Sequence, residues 1–255
     1  MSTALSRPPR AQTNFRRVAI LFAGGPAPAA NAVISTAAVS FLRNNIDVLG
    51  ILHGYSHLVE FGPDHPFKPE RATKTFDLCN RYGVLNYPWM QVVNPEPLDP
   101  GLLTLYHEPE YLALLREASQ GEVRLEMLAC GLGTQDTPII KGIYEWSLRA
   151  CGGTHRTAME ILSGRAQVGF NPLGGFHHAM PGNAEGFCYI NDPVIAIMAL
   201  LKRGRRVAYI DIDAHHGDGV QEAFYATNSV LTVSLHETGR TLFPGTGFEE
   251  EIGEG

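Results

Sequence analysis

Hydrophobic and polar positions along the chain fall into two periodicities. A five-residue apolar run, Val18 to Phe22, predicts a short strand, and a glycine turn at Gly24 and Gly25 leads into a helix beginning near Pro28 to Asn31. Apolar residues at Ala72, Phe76, Leu78 and Cys79 predict an amphipathic helix after a proline-rich turn, and residues 106–119 predict a short second helix. A long helix is predicted from Ile140 to Leu162, with Gly152 and Gly153 allowing close approach to a neighbour. Then come a short strand at Val168 to Phe170 and a helix starting around Asn191 to Pro193, which buries Val194, Ile195, Ile197, Met198 and Leu201. The run Val207 to Ile212 reads as a strand covered on both faces, as parallel sheets require. Alternating strands and helices predict an α/β fold.

The strand at 207–212 is interrupted by carboxylates. Strand alternation sends Asp211, Asp213 and His215 to one side and Ile210 and Ile212 to the other. Adjacent buried carboxylates are costly unless a cation compensates them. Asp213 and His215 offer one oxygen and one nitrogen ligand suited to zinc or a similar divalent ion, leaving Asp211, His216 and Asp218 as supporting polar groups. About 35 residues upstream, Gly174 and Gly175 are followed by adjacent histidines, His177 and His178. If both strands belong to one parallel sheet, their C-terminal ends share an edge, and the imidazoles gain carboxylate partners.

Charge narrows the function classes. The chain has 255 residues and a net charge of -6, and its acidic excess lies entirely after residue 60, so no nucleic-acid surface is expected there. No stretch is long and apolar enough to span a membrane. The four cysteines, Cys79, Cys130, Cys151 and Cys188, form no CxxC pair and read as buried thiols of a reducing compartment, which makes a cytoplasmic location the expectation. Residues 1–16 bear Arg and no acid, and read as a disordered tail, a composition that transit peptides share. A junction is expected near residues 58–62, where a proline-rich turn begins.

Two resemblances extend this reading. AILFAGGPAPAANAVIS followed by IDVLGILHGYSHLVE resembles the start of the 6-phosphofructokinase family, particularly its diphosphate-using branch. Over residues 17–60 this implies a βα unit in which Gly24, Gly25 and Asn31 contact a phosphate donor. Pro26 and Ala29 depart from the pattern of ATP-using members, which carry Asp and Gly there. GGFHHAMPGNAEGFCYIND and YIDIDAHHGDGVQEAFY, with DHPFKPERA before them and SLHETGRTLFPGTG after, resemble the zinc-dependent histone deacetylases, close to the bacterial acetoin-utilisation branch. That match covers residues 61–255.

The second resemblance implies a three-layer, mostly parallel sheet of the arginase/deacetylase type, truncated at the C-terminus, with the N-terminal βα unit as an addition. It makes Asp213 and His215 zinc ligands, His178 with Asp218 the general base and acid, and His177 with Asp211 its electrostatic partner. It puts Gly186, Phe187 and Phe243 along an acyl-lysine channel and Asp136 at its rim. A structural potassium ion is implied at Asp211, Ser234 and the carbonyls of Asp213, His215 and Leu235. The implied substrate is an acetylated lysine peptide or a small acetylated amine. The family's third zinc ligand and its carbonyl-binding tyrosine fall beyond Gly255. The alternatives are a phosphofructokinase fragment and a non-catalytic module that binds metal or peptide. The arginase fold also uses a DxDxH strand, but His177 and His178 argue against it.

Overall fold

Residues 143–163 carry apolar side chains at helical spacing, and in the computed structural model, which describes residues 48–51 and 59–254, they form the longest helix. The elements in chain order are β1 (Val48–Ile51), α1 (Glu70–Arg81), β2 (Met90–Val93), α2 (Pro109–Ser119), α3 (Leu125–Ala129), α4 (Ile143–Ser163), β3 (Val168–Phe170), α5 (Asp192–Leu201), β4 (Val207–Asp211), α6 (Asp218–Phe224) and β5 (Val230–Ser234). The strand at Val18 to Phe22, the following helix, the tail and the residues Gly24, Gly25 and Asn31 lie outside the described residues.

Helix α4 ends at Gly164, whose φ of 82° lets its N–H turn back onto the carbonyls of Glu160 and Ile161. The double glycine in its middle has the packing reason expected of it. A Cβ on Gly152 would come 1.9 Å from the Glu96 carbonyl, and one on Gly153 would come 2.8 Å from the Asn171 amide nitrogen. The chain at 96–98 therefore crosses directly over the helix, where Leu98 N–H donates to the Leu148 carbonyl at 2.8 Å.

Among the described residues all strand pairs are parallel. β1 is the middle strand of a three-stranded sheet, with Val48 opposite Met90 of β2 and Val168 of β3. β1 lies within residues 17–60, so that segment contributes to the same sheet as residues 90–93 and 168–170. β4 and β5 pair separately, from Val207 opposite Val230 to Asp211 opposite Ser234. This corrects the expectation of one sheet: among the described residues β3 and β4 share no ladder. What joins their ends is side-chain hydrogen bonding.

The expectation for strand 207–212 is also corrected. Alternation holds, but only one face is covered. Val207 and Tyr209 turn towards Val194 and Ile197 of α5 and Val220 and Phe224 of α6. On the other face Ile210 is 63% exposed and Leu231 62%, because no described element packs there. The second helical layer of a three-layer arrangement is thus not present on this sheet among the described residues.

The main core has an aromatic centre beneath the segment that carries His177 and His178. Trp146 of α4 meets Phe176 with ring centroids 5.4 Å apart and Phe67 at 6.1 Å, and Phe61 closes against Phe67 at 4.9 Å. Burying each such ring contributes about 1.5–3 kcal/mol, and the edge-on contacts add somewhat more. Because Phe176 directly precedes His177, this packing holds one end of the histidine segment. All four cysteines are free, but only Cys151 and Cys188 are buried, and Cys79 and Cys130 are partly exposed.

Candidate active site

The turn after β3 is held by polar groups that helical periodicity does not reveal. Asp192, the first residue of α5, accepts hydrogen bonds from Gly175 N–H at 2.9 Å and Phe176 N–H at 2.8 Å, and from the Thr154 hydroxyl of α4. Burial raises its carboxyl to about 6, against the pull of these donors. Gly174 is required here, since a Cβ would lie 2.5 Å from Thr154 Oγ1 and 2.7 Å from Asp192 Oδ2. Asn191 caps α5 by accepting from Val194 N–H at 3.1 Å, while its amide donates to the carbonyls of His177 at 3.2 Å and Ala179 at 3.0 Å.

So positioned, the two histidines meet the tip of β4 and the start of α6. His177 Nδ1 lies 2.6 Å from Asp211 Oδ2, and His178 Nδ1 lies 2.7 Å from Asp218 Oδ1. A carboxylate only accepts, so both Nδ1 atoms donate. Asp211 also takes the Tyr209 hydroxyl at 2.5 Å and Asp213 N–H at 2.9 Å. Burial works against the Asp211 charge, but these donors outweigh it and bring the carboxyl down to about 2.

The two imidazoles, 4.0 Å apart between centroids, are driven in opposite directions. For His177, burial favours the neutral ring, but Asp211, Asp213 and Asp218 overcome it and raise the pKa. For His178, burial and the neighbouring His177 and His215 outweigh Asp218 and lower it. The carboxylates thus win at His177 and burial wins at His178.

Asp213 and His215 stand beside this pair. Asp213 Oδ1 accepts His215 N–H at 2.8 Å and contacts His215 Nδ1 at 3.0 Å. The His215 ring lies 5.9 Å from that of His178 and 6.2 Å from that of Phe243, which itself lies 5.0 Å from His178. Gly186 fits between them, for a Cβ there would be 2.5 Å from His178 Cδ2 and 3.0 Å from Phe243 Cε1. Phe187 follows with a φ of 69°, uncommon for a bulky residue, and packs against His65 at 5.0 Å.

Asp136 is exposed, and its carbonyl accepts from His65 Nε2 at 3.1 Å, so its loop is tied to the residue that backs Phe187. Ser234 lies opposite Asp211 in the ladder, and its hydroxyl meets His236 Nδ1 at 2.8 Å. Leu235 N–H donates to the Asp211 carbonyl at 2.9 Å. The structure thus brings together His177, His178, Asp211, Asp213, His215, Asp218, Gly186 and Phe243. The reading from sequence omitted Asp192, Thr154, Tyr209 and His65, and treated Asn191 only as a helix start.

Residues 65–255 match the family described as Histone deacetylase domain. The chain belongs to the histone deacetylase family. It is 43% identical over 199 residues to histone deacetylase 9 of Arabidopsis thaliana, covering 77% of this chain and 46% of that protein. With histone deacetylase 1 of Homo sapiens the identity is 40% over 198 residues, covering 76% and 40% of the two chains. A solved histone deacetylase homologue from Aquifex aeolicus is similar with a TM-score of 0.73 and 35% identity, over 82% of this chain and 56% of that one. A homologue complexed with SAHA gives 0.72, with the same identity and coverage. The chain therefore spans less than half the length of the curated histone deacetylases named here.

Asp213 and His215 offer the histone deacetylase site a carboxylate oxygen and an imidazole nitrogen, converging within 3.0 Å of each other, and this donor set fits two positions around zinc. Among the described residues no group of three or more His, Cys, Asp or Glu side chains comes together to hold an ion. Nor is any described helix long and apolar enough to cross a membrane.

Proposed function

We propose that this chain supplies the proton-transfer half and two metal ligands of a deacetylase site that hydrolyses the amide of acetyl-lysine, in a peptide or a small acylated amine. The observation that carries this reading is the pair of buried imidazole–carboxylate contacts, 2.6 and 2.7 Å long, beside Asp213 and His215. A zinc ion held by Asp213 and His215 would polarise the amide carbonyl and make a water more acidic.

His178 has Nδ1 committed to Asp218, which leaves Nε2 to take a proton. Its lowered pKa keeps that nitrogen unprotonated near neutrality. As water adds to the amide carbon, His178 Nε2 takes the water's proton; as the C–N bond breaks, it delivers that proton to the lysine nitrogen. His177, whose ring Asp211 biases towards the protonated form, stabilises negative charge developing on the reacting oxygens. Gly186, Phe187 and Phe243 form an apolar wall suited to the methylene stem of lysine, and Asp136 at the rim accepts peptide N–H groups.

A potassium ion at Asp211, Ser234 and the carbonyls of Asp213, His215 and Leu235 belongs to the same proposal, supported by the pairing of Asp211 with Ser234. A cytoplasmic location accords with four free thiols. Placement in the acetoin-utilisation branch and a phosphofructokinase-like origin for residues 17–60, with phosphate contacts at Gly24, Gly25 and Asn31, rest on sequence wording alone. The family match begins at residue 65.

The test is acetate release from an acetyl-lysine peptide with zinc added, alongside calorimetric zinc binding. Zinc binding that disappears in Asp213→Ala, with turnover that falls about 100-fold or more in His178→Ala, supports the proposal. Zinc and peptide binding with no acetate release assigns the chain to a binding module instead, and no zinc binding removes the metal site.

A further inference from the structure

Tyr106 and His107, between the short 3-10 helix Pro100–Leu105 and α2, and Tyr111 in the first turn of α2 occupy one corner, and their ring polar atoms reach four separate points of the site's backbone. Tyr106 donates its hydroxyl to the Gly219 carbonyl at 3.1 Å, one residue past Asp218. Tyr111 donates to the Tyr189 carbonyl at 2.6 Å. His107 lies between these rings, with centroids 4.9 Å from Tyr106 and 5.6 Å from Tyr111, and is only 2% exposed.

The hydrogen bonds of His107 fix its protonation state. Nδ1 faces the Pro181 carbonyl at 3.2 Å, which only accepts, and Nε2 faces Asn191 N–H at 2.9 Å, which only donates. The ring is therefore the neutral Nδ1–H tautomer, and it grips both ends of the segment 181–191 that carries Gly186 and Phe187. Beyond Asn191 the chain of contacts continues to the carbonyls of His177 and Ala179. Gly219 closes the junction from the other side, since a Cβ there would lie within 2.9 Å of His177 O, Ala179 O and Asn191 Nδ2.

We infer that His107 is a positioning residue: its imidazole clasps Pro181 to Asn191 and thereby sets the His177–His178 pair and the Gly186–Phe187 wall as one unit. It touches none of the groups that meet substrate. Either nitrogen can be removed separately. Asn at 107 places an amide nitrogen where Nδ1 stands and offers nothing to Asn191, whereas Gln reaches the Nε2 position with an oxygen and keeps that acceptor.

The inference rests on the proposed role of His178, but its test does not need turnover. In the full chain, amide hydrogen exchange at Asn191 and the low-field Nδ1 proton resonances of His177 and His178 are followed by NMR. His107→Asn is expected to speed exchange at Asn191 about tenfold, roughly the factor that one net hydrogen bond carries, and to shift or broaden the His178 resonance. His107→Gln is expected to retain both signals, and the His216 resonance, whose ring nitrogens face Thr246 and Gln221, stays in place in either variant. Equal behaviour of the two variants, including loss of fold in both, assigns the ring to core packing and overturns the inference. A chain that never releases acetate overturns the proposed function and leaves this result standing.

Discussion

The two halves of the site are held in different ways. On the imidazole side, Asp192 satisfies Gly175 and Phe176, Asn191 satisfies His177 and Ala179, and both ring nitrogens nearest the protein have carboxylate partners. On the other side, among the described residues Asp213 takes its side-chain hydrogen bonds from His215 alone, and although the Asp213 side chain is buried, the His215 side chain is 24% exposed against 5% for His178. Folding by itself fixes the imidazoles. The arm that carries Asp213 and His215 has fewer protein partners among the described residues, and in the proposed function a metal ion supplies the rest.

Substitutions and pH can break this contrast, and the largest effect is expected at Asp192. Replacing it by Ala leaves two buried N–H groups and the Thr154 hydroxyl without an acceptor, and should cost about 4 kcal/mol by urea denaturation. A cost near zero would mean that the imidazole side is not held by its hydrogen bonds.

Acid comes next. His107 is held at about 4 by burial, which outweighs its backbone hydrogen bonds, against about 6.5 for an unfolded histidine. Above pH 6.5 neither state is protonated and stability is full. As pH falls towards 4 the unfolded chain takes a proton that the folded chain refuses, so stability drops by about 3 kcal/mol. Urea midpoints from pH 7.5 to 4.5 should show this slope, and His107→Gln should flatten it.

Gly219→Ala is expected to cost about 2 kcal/mol, because three polar atoms must give way to one methyl group. The smallest effect belongs to the other side. Asp213→Ala should change stability by less than about 1 kcal/mol while abolishing zinc binding, and calorimetry beside denaturation separates the two. A large loss of stability there would make both halves structurally alike.

Much of this architecture was legible from pattern. The helices at 70–81, 109–119, 143–163 and 192–201 and the strand at 168–170 follow from periodicity, proline placement and glycine stops. The pairing of His177 with Asp211 and of His178 with Asp218 was legible too, through the resemblance carried by the motifs at 174–192 and 205–219. What pattern could not show were bonds across long sequence separations, such as Thr154 to Asp192 or His107 to Asn191. Each of these residues reads locally as an ordinary helix position or loop polar group. The split between the sheets was hidden for a related reason. A three-residue strand such as β3 fixes no register by itself, and the link to β4 runs through side chains rather than through a ladder.

Among the described residues nothing covers the second face of the β4–β5 pair, and this has a practical consequence. Ile210, Ile212, Leu231, Val233 and Leu235 make a greasy stripe facing solvent, and such stripes draw molecules of the same kind together as temperature rises or as sulfate is added. Cold, low-sulfate buffers should keep the chain dispersed, and warming should turn concentrated samples cloudy well before the helices melt.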